Sequence, residues 1–166
     1  MIASPNVLIV HNRQRNRRIS TKHLREIIRV LLVENLLLNE FEIGISIINE
    51  AAMTRMNEGF LRHMGSTDVI TFDYKDESRP KCLAGEIFVC LDEALIQAPR
   101  FRKTWQTELV RYVVHGVLHL CGFDDKTAGA RRKMKREEDR LMRHLAIRFN
   151  LDELQAVPRR ARNIAR

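Results

Sequence analysis

Cysteine is scarce in this chain: Cys82, Cys90 and Cys121 are the three, and no C-x-x-C pair is present. An odd count without that pairing excludes a disulfide framework and a metal site built from cysteines alone. The three read instead as small apolar residues in or near a core. Long apolar runs are missing as well. Nothing approaches the roughly 20 residues that span a bilayer, and Val7–Val10 is too short for the core of a signal peptide. A soluble, cytoplasmic protein with no membrane partner is therefore expected. No repeat or low-complexity block is present. Aromatic residues are only 6% of the chain, and they form no evident base-stacking platform, Trp105 included.

What is present is enough for one domain. The chain has 166 residues, of which 45% are hydrophobic, so it holds a real core and is not a disordered segment. Lys and Arg number 29 against 21 Asp and Glu, a net charge of +8 carried mostly by arginine. The guanidinium fork matches phosphate oxygens. A basic surface attracts polyanions, of which RNA and ribosomes are the commonest large examples. The expected layout is a single domain over residues 1–150 and a basic tail over 151–166. Within that tail Pro158–Arg166 reads as mobile, with Arg159, Arg160, Arg162 and Arg166 available for non-specific phosphate contacts.

Hydrophobic periodicity orders the elements. Asn6–His11 is a short apolar strand, followed by an Arg-rich connector. Ser20 or Thr21 caps a helix to about Leu38, with Leu24, Ile27, Ile28, Leu31 and Leu32 on one face. Phe41–Ile48 is a strand, and Asn49 caps a helix to about Leu61. Val69–Tyr74 and Leu83–Leu91 are strands joined by a turn at Asp76–Lys81. Asp92 caps a short helix, Thr104 caps one ending at Gly122, and Thr127 opens a long one to about Phe149. The order predicts an α+β fold: a small mixed β-sheet of about four strands covered by about five helices, with a metal site at the end of a helix.

The chemistry concentrates in Val113–Lys126, VVHGVLHLCGFDDK. His115 and His119, four residues apart on a helix, lie on one face with Cβ atoms about 5–6 Å apart, so two imidazoles can share one ion. Gly122 can end the helix in a left-handed turn. An acidic residue three positions on then reaches back, and Asp125 has that spacing, with Asp124 as its rival. The pattern H-x-x-x-H-x-x-G-x-x-D has the spacing of the metzincin signature, with Asp for the third His and Gly116 where a zincin carries its catalytic Glu. Without that general base a peptidase of the usual kind is disfavoured. Two His and one carboxylate suit Zn²⁺ first, one ion per chain, and Fe(II) or Mn²⁺ next. Three protein ligands leave a position open for water, as in catalytic sites.

At this motif the chain resembles the YbeY family of metal-dependent single-strand endoribonucleases linked to ribosomal RNA maturation. The family pattern H-G-x-L-H-L-x-G-[YF]-D-H appears as H-G-V-L-H-L-C-G-F-D-D. The upstream pattern appears as Asn57, Phe60 and Thr67–Phe72 (TDVITF), and a Gly-acidic-aliphatic block as Gly85-Glu86-Ile87. The resemblance spans roughly residues 40–145. It departs at Asp125, where Asp125-Lys126-Thr127 looks like a branch with Asp in place of the third His. It departs again at Leu61, where the family carries an arginine four residues after the Asn; here Arg62 stands one further on.

The resemblance implies an endoribonuclease acting on single-stranded ribosomal RNA, with the ribosome or small-subunit proteins as partners. The metal would activate water or a 2′-OH for attack on a phosphodiester, Arg62 would face the phosphoryl charge, and Glu86 would act as base or support a ligand. The plainer alternatives are a surface arginine and a strand-end carboxylate. The cluster Arg131, Arg132, Lys133, Lys135 and Arg136, interleaved with Glu137, Glu138 and Asp139, reads as a solvated helix face, with an RNA track as the alternative. Other functions that fit are a metallohydrolase of a non-RNA substrate and a non-catalytic ribosome factor with a structural metal; an Fe(II) oxygenase is disfavoured, because its ligands usually come from the strands of a barrel and not from one helix.

Overall fold

The computed structural model describes residues 6–156. Four strands form one mixed sheet in the order β1-β2-β4-β3. Strands β1 (Val7–Asn12), β2 (Glu40–Ile48) and β4 (Cys82–Cys90) run parallel, and β3 (Val69–Asp73) returns antiparallel along the β4 edge. Five α-helices cover the sheet: α1 (Thr21–Val30), α2 (Glu50–Met56), α3 (Leu91–Arg100), α4 (Trp105–Leu120) and α5 (Ala128–Arg148). The expected α+β architecture is present. Among the described residues no helix is long and apolar enough to cross a membrane.

The caps fall largely where the side chains predict them. Ser20, Asn49, Thr104 and Thr127 each accept a hydrogen bond from the backbone N–H three residues on. Asp92 differs. Helix α3 already begins at Leu91, and the Asp92 carboxylate instead accepts the backbone N–H of Glu50, 2.6 Å away, at the start of α2. Helix α1 is shorter than its apolar pattern suggests, because a wide π-helical turn over Leu31–Asn35 unwinds it and Leu37 takes a positive φ of 53°. The pattern persists through Leu38 because the chain stays against the core after the helix has ended.

The larger core lies on one face of the sheet. Leu8, Val10, Ile43, Ile45, Ile47, Ile87 and Val89 meet Leu24, Ile27 and Ile28 of α1 and the apolar side of α4. A full burial of each Leu or Ile contributes about 1.5–3 kcal/mol. A smaller cluster of Ile48, Met53, Ile70 and Cys90 sits under α2. Helix α4 approaches the sheet closely at two glycines. A Cβ on Gly116 would stand 2.7 Å from Ile87 Cγ2, and one on Gly85 would stand 2.6 Å from the Phe72 carbonyl and 2.7 Å from Leu120.

Residues 151–156, assigned to the tail by composition, belong to the packed body. Leu151–Leu154 form a 3₁₀ turn, Leu154 is fully buried, and Gln155 bridges to Ile19. Two leucines three residues apart are what one such turn needs to bury a face. Pro158–Arg166, with the tail arginines, lie outside the described residues.

Candidate metal centre

Past Thr107, helix α4 is apolar except for one stripe. Glu108, Arg111, Tyr112, His115 and His119 follow one another at spacings of three, one, three and four, which places them on one side of the helix. The helix then ends in a Schellman turn. Gly122, at φ +91°, donates its N–H to the His119 carbonyl, and Phe123 donates to Leu118. That turn brings the Phe123 carbonyl back to 3.1 Å from His119 Nδ1. A carbonyl can only accept, so Nδ1 carries the proton and Nε2 keeps its lone pair.

His115 is oriented from the other side. Its Nδ1 lies 3.0 Å from Glu138 Oε2 on α5. Glu138 is 5% exposed. Burial raises its carboxyl pKa, but hydrogen bonds from His115 and Arg111 and the charge of Lys135 hold it down to about 2. It is therefore an anion at neutral pH and accepts the Nδ1 proton. Burial pulls the His115 imidazole towards neutrality, and the Glu138 bond and charge outweigh it, so its pKa lies above the ordinary histidine value.

The two Nε2 atoms face each other 3.0 Å apart. Asp125 Oδ2 lies 3.9 Å from His119 Nε2, and ligand atoms of His115, His119 and Asp125 all fall within 4.8 Å of one another. Asp124 turns away: its carboxylate accepts the N–H groups of Asp125 and Lys126 within its own loop. Arg131, from the first turn of α5, holds that loop through the Asp125 and Lys126 carbonyls. In a tetrahedral zinc site, two nitrogens bound at about 2.0–2.1 Å stand about 3.3 Å apart. The observed spacing is close to that, and two imidazole nitrogens so near each other need a proton or a metal ion between them. The donor set thus fits a borderline divalent ion such as zinc. Both imidazoles are about a quarter exposed and Asp125 is 46% exposed, so the triad opens to solvent on one side.

The structure does not bring Glu86 to this triad. Its neighbours on β4, Gly85 and Ile87, face α4 at Leu120 and Gly116. Strand alternation turns Glu86 to the opposite face, where its carboxylate lies over Gly44 and accepts the Tyr74 hydroxyl at 2.9 Å. The bond and the adjacent charge raise the Tyr74 pKa above its ordinary value. Arg62 is exposed, and among the described residues no hydrogen bond or ion pair joins it to the triad. Asn57–Leu61 form a π-helical turn in which the Arg62 N–H bonds the Asn57 carbonyl. That widening puts residue 62 where an ordinary α-turn would put residue 61.

Sequence reasoning missed Glu138 and Arg111. Glu138 was grouped with a solvated charge cluster, yet it is buried. Its signal was position: it shares a helical face with Met134, Leu141, Met142 and Leu145, all buried. Arg111 Nη1 meets Glu138 at 2.6 Å and Asp139 at 2.9 Å, and Lys135 Nζ meets the same two carboxylates.

A family model described as Endoribonuclease YbeY matches residues 9–146. An Endoribonuclease YbeY of Phocaeicola vulgatus is 33% identical over 106 residues, covering 64% of this chain and 75% of the relative. One of Chlorobium phaeovibrioides is 42% identical over 93 residues, covering 56% and 61%. A solution structure of a Thermotoga maritima protein superposes with a TM-score of 0.63 at 20% identity, covering 94% of this chain and all of that one, and shows the same fold. The metal-ligand spacing, the flanking sequence blocks and a family match that runs through nearly the whole described fold agree: this chain belongs to the Endoribonuclease YbeY family.

Proposed function

We propose that this chain is a zinc-dependent endoribonuclease that cuts single-stranded RNA at the His115–His119–Asp125 centre, acting in the cytoplasm on ribosomal RNA in company with the ribosome or its small-subunit proteins. The observation that carries the reading is the pair of Nε2 atoms 3.0 Å apart beside the Asp125 carboxylate, each ring held by a partner on its Nδ1. A bound zinc supplies Lewis acidity, lowering the pKa of a water it coordinates towards ~7 and offsetting charge on phosphoryl oxygens.

The chain's own residues do the rest. His119 and His115 present their Nε2 atoms, and the Phe123 carbonyl and Glu138 hold the two rings in that orientation from Nδ1. Asp125 adds a negative charge that a third imidazole would not. Arg62 is assigned to the phosphoryl oxygens, for which a planar fork is suited. Two facts support it: the wide turn shifts it by one position, and its guanidinium has no ion-pair partner among the described residues. Glu86 takes no part in this scheme.

The test is cleavage of an end-labelled single-stranded RNA by the zinc-loaded protein and by a His115→Ala/His119→Ala variant purified in parallel, with circular dichroism on both. Cleavage by the parent alone, lost with a chelator and restored by zinc, is expected. Equal cleavage by the two proteins would sink the assignment.

A further inference from the structure

Beside the triad lies a cavity of about 480 Å³ that shares His115 with it and is also lined by Glu138, the partner of His115 Nδ1. Its remaining walls come from distant parts of the chain: Ser66, Thr67 and Asp68 before β3, Glu93 and Phe101 at the two ends of α3, and Tyr112 on the polar stripe of α4. Glu138 and Glu108 are occupied by Arg111. Asp68 and Glu93 are not. One Asp68 oxygen caps its own segment, taking the Thr67 hydroxyl and the Val69 N–H. Its other oxygen and the Glu93 carboxylate have no partner among the described residues. Tyr112 lines the same cavity, and the Asp68 and Glu93 charges both act on its hydroxyl. Tyr112 is 5% exposed, and its oxygen is buried with no hydrogen-bond partner. A buried hydroxyl without a partner is costly, so its presence in the wall of an acidic cavity points to a ligand that completes it.

The walls define that ligand. Free carboxylates repel a phosphate and demand N–H donors. A tyrosine hydroxyl supplies one donor to a carbonyl. Phe101, 62% exposed at the rim, offers a flat face. A flat heterocycle with adjacent N–H donors and a carbonyl satisfies all three. Single-stranded RNA is read in this way, by stacking unpaired bases on aromatic rings and bonding their Watson–Crick edges. Among the four bases, guanine sets a ring N–H and an amino N–H side by side next to a carbonyl. Uracil sets one donor between two acceptors and meets carboxylates badly.

Resting on the ribonuclease reading of the triad, the geometry points to this cavity as a base pocket that takes the nucleobase next to the scissile phosphodiester and prefers guanine. The shared His115 wall supplies the adjacency: a phosphate at the triad leaves its neighbouring base at the mouth of the cavity. The acidic walls keep the phosphate itself out.

The full-length, zinc-loaded protein is titrated with the four nucleoside 5′-monophosphates and followed by amide NMR. Any direct phosphate–zinc contact is common to the four, so the difference between bases is the readout. GMP is expected to bind at least ten-fold more tightly than UMP, with shifts at Ser66–Asp68 and Gln97–Phe101. Asp68→Asn keeps an oxygen for the local cap and replaces an acceptor with a donor; it should erase the GMP advantage, by weakening GMP and not weakening UMP. Tyr112→Phe should reduce that advantage. In cleavage of a mixed-sequence single strand, cuts by the parent should carry guanine at one fixed side, and Asp68→Asn should lose the bias. Equal affinity for the four nucleotides would overturn the pocket, as would a GMP advantage that survives both substitutions. Shifts produced only by Mg²⁺ or by a lysine-rich peptide would overturn it too. RNA cleavage without base bias or selective binding rejects the pocket and keeps the ribonuclease. Guanine-selective binding by a chain that cuts no RNA keeps the guanine site and rejects the ribonuclease.

Discussion

Replacing Glu138 by glutamine removes one charge and almost no volume from the wall behind the metal triad. The carboxylate holds His115 Nδ1 at 3.0 Å and is an anion, with its pKa held down to about 2. The amide oxygen of glutamine can still accept that proton, so the imidazole keeps its orientation and loses the charge that makes it a stronger donor. Outer partners of metal-binding histidines contribute about ten- to a hundred-fold in metal affinity. Fold stability must be separated from this, because Arg111 and Lys135 also lean on Glu138.

Thermal unfolding with and without saturating zinc makes the separation. Zinc that binds only the folded chain stabilises it by RT ln(1 + [Zn]/Kd). A ten- to hundred-fold weaker Kd lowers that gain by about 1.4–2.7 kcal/mol at any zinc concentration well above both constants. In a chain of 166 residues each kcal/mol moves the midpoint by about 2–4 °C. The zinc-induced rise in Tm should therefore shrink by roughly 3–11 °C in Glu138→Gln, whatever happens to the metal-free midpoint. A variant that keeps the full zinc-induced rise would refute the reasoning, and Glu138 would then serve only the Arg111 and Lys135 ion pairs.

Three further substitutions test other parts of the structure. Gly85→Ala would place a Cβ 2.6 Å from the Phe72 carbonyl and 2.7 Å from Leu120; it should destabilise the chain by about 1–3 kcal/mol in denaturant unfolding, and an unchanged midpoint would contradict the close α4–sheet contact. Tyr112→Phe deletes the unpartnered buried hydroxyl and should raise stability by about 1 kcal/mol; a loss of that size would show that the hydroxyl is satisfied in solution. Glu86→Gln should leave RNA cleavage within two-fold, because Glu86 lies on the face away from the triad, and a ten-fold drop would return it to the chemistry. The same substitution should lower the Tyr74 pKa towards its ordinary value in an ultraviolet phenol titration: ionising Tyr74 now costs the hydrogen bond to an anion, and that cost largely goes with the charge.

The parts of the site that were legible in the sequence are local ones. His115, His119, Gly122 and Asp125 fall within eleven residues, and helix period plus a glycine stop suffice to fold them towards one point. The parts that were not legible depend on parity or on distance. Glu86 looks like a site residue beside Gly85 and Ile87, but its direction depends on which sheet face α4 covers, and alternation then sends it to the other side. Glu138 lies 23 residues from His115 in a run of charges; only its place on the apolar stripe of α5 distinguishes it from its solvated neighbours. Asp68 and Tyr112 line one cavity from positions 44 residues apart, and no periodicity links a loop before β3 to a helix stripe. The unwinding after Val30 was hidden for a different reason, since apolar spacing reports contact with a core and not the hydrogen-bond pattern that achieves it.

Gly116 joins these strands of the argument. In zincins the residue after the first histidine is a glutamate that works as general base. Here that position faces the sheet at Ile87 and Thr71, with no room for even a methyl group, so the glycine is demanded by packing before any question of chemistry. The carboxylate closest in role, Glu138, comes from α5 and meets the far nitrogen of His115, where it orients that ring. That arrangement suits an anionic substrate better than a neutral one. A glutamate beside the reacting group would repel a phosphodiester across a partly dehydrated cleft, where like charges interact far more strongly than in water. A peptide carbonyl carries no such charge and tolerates the base. The glycine that lets α4 sit on the sheet therefore also leaves the triad open to a phosphate, and it separates this site from the peptidases whose ligand spacing it shares.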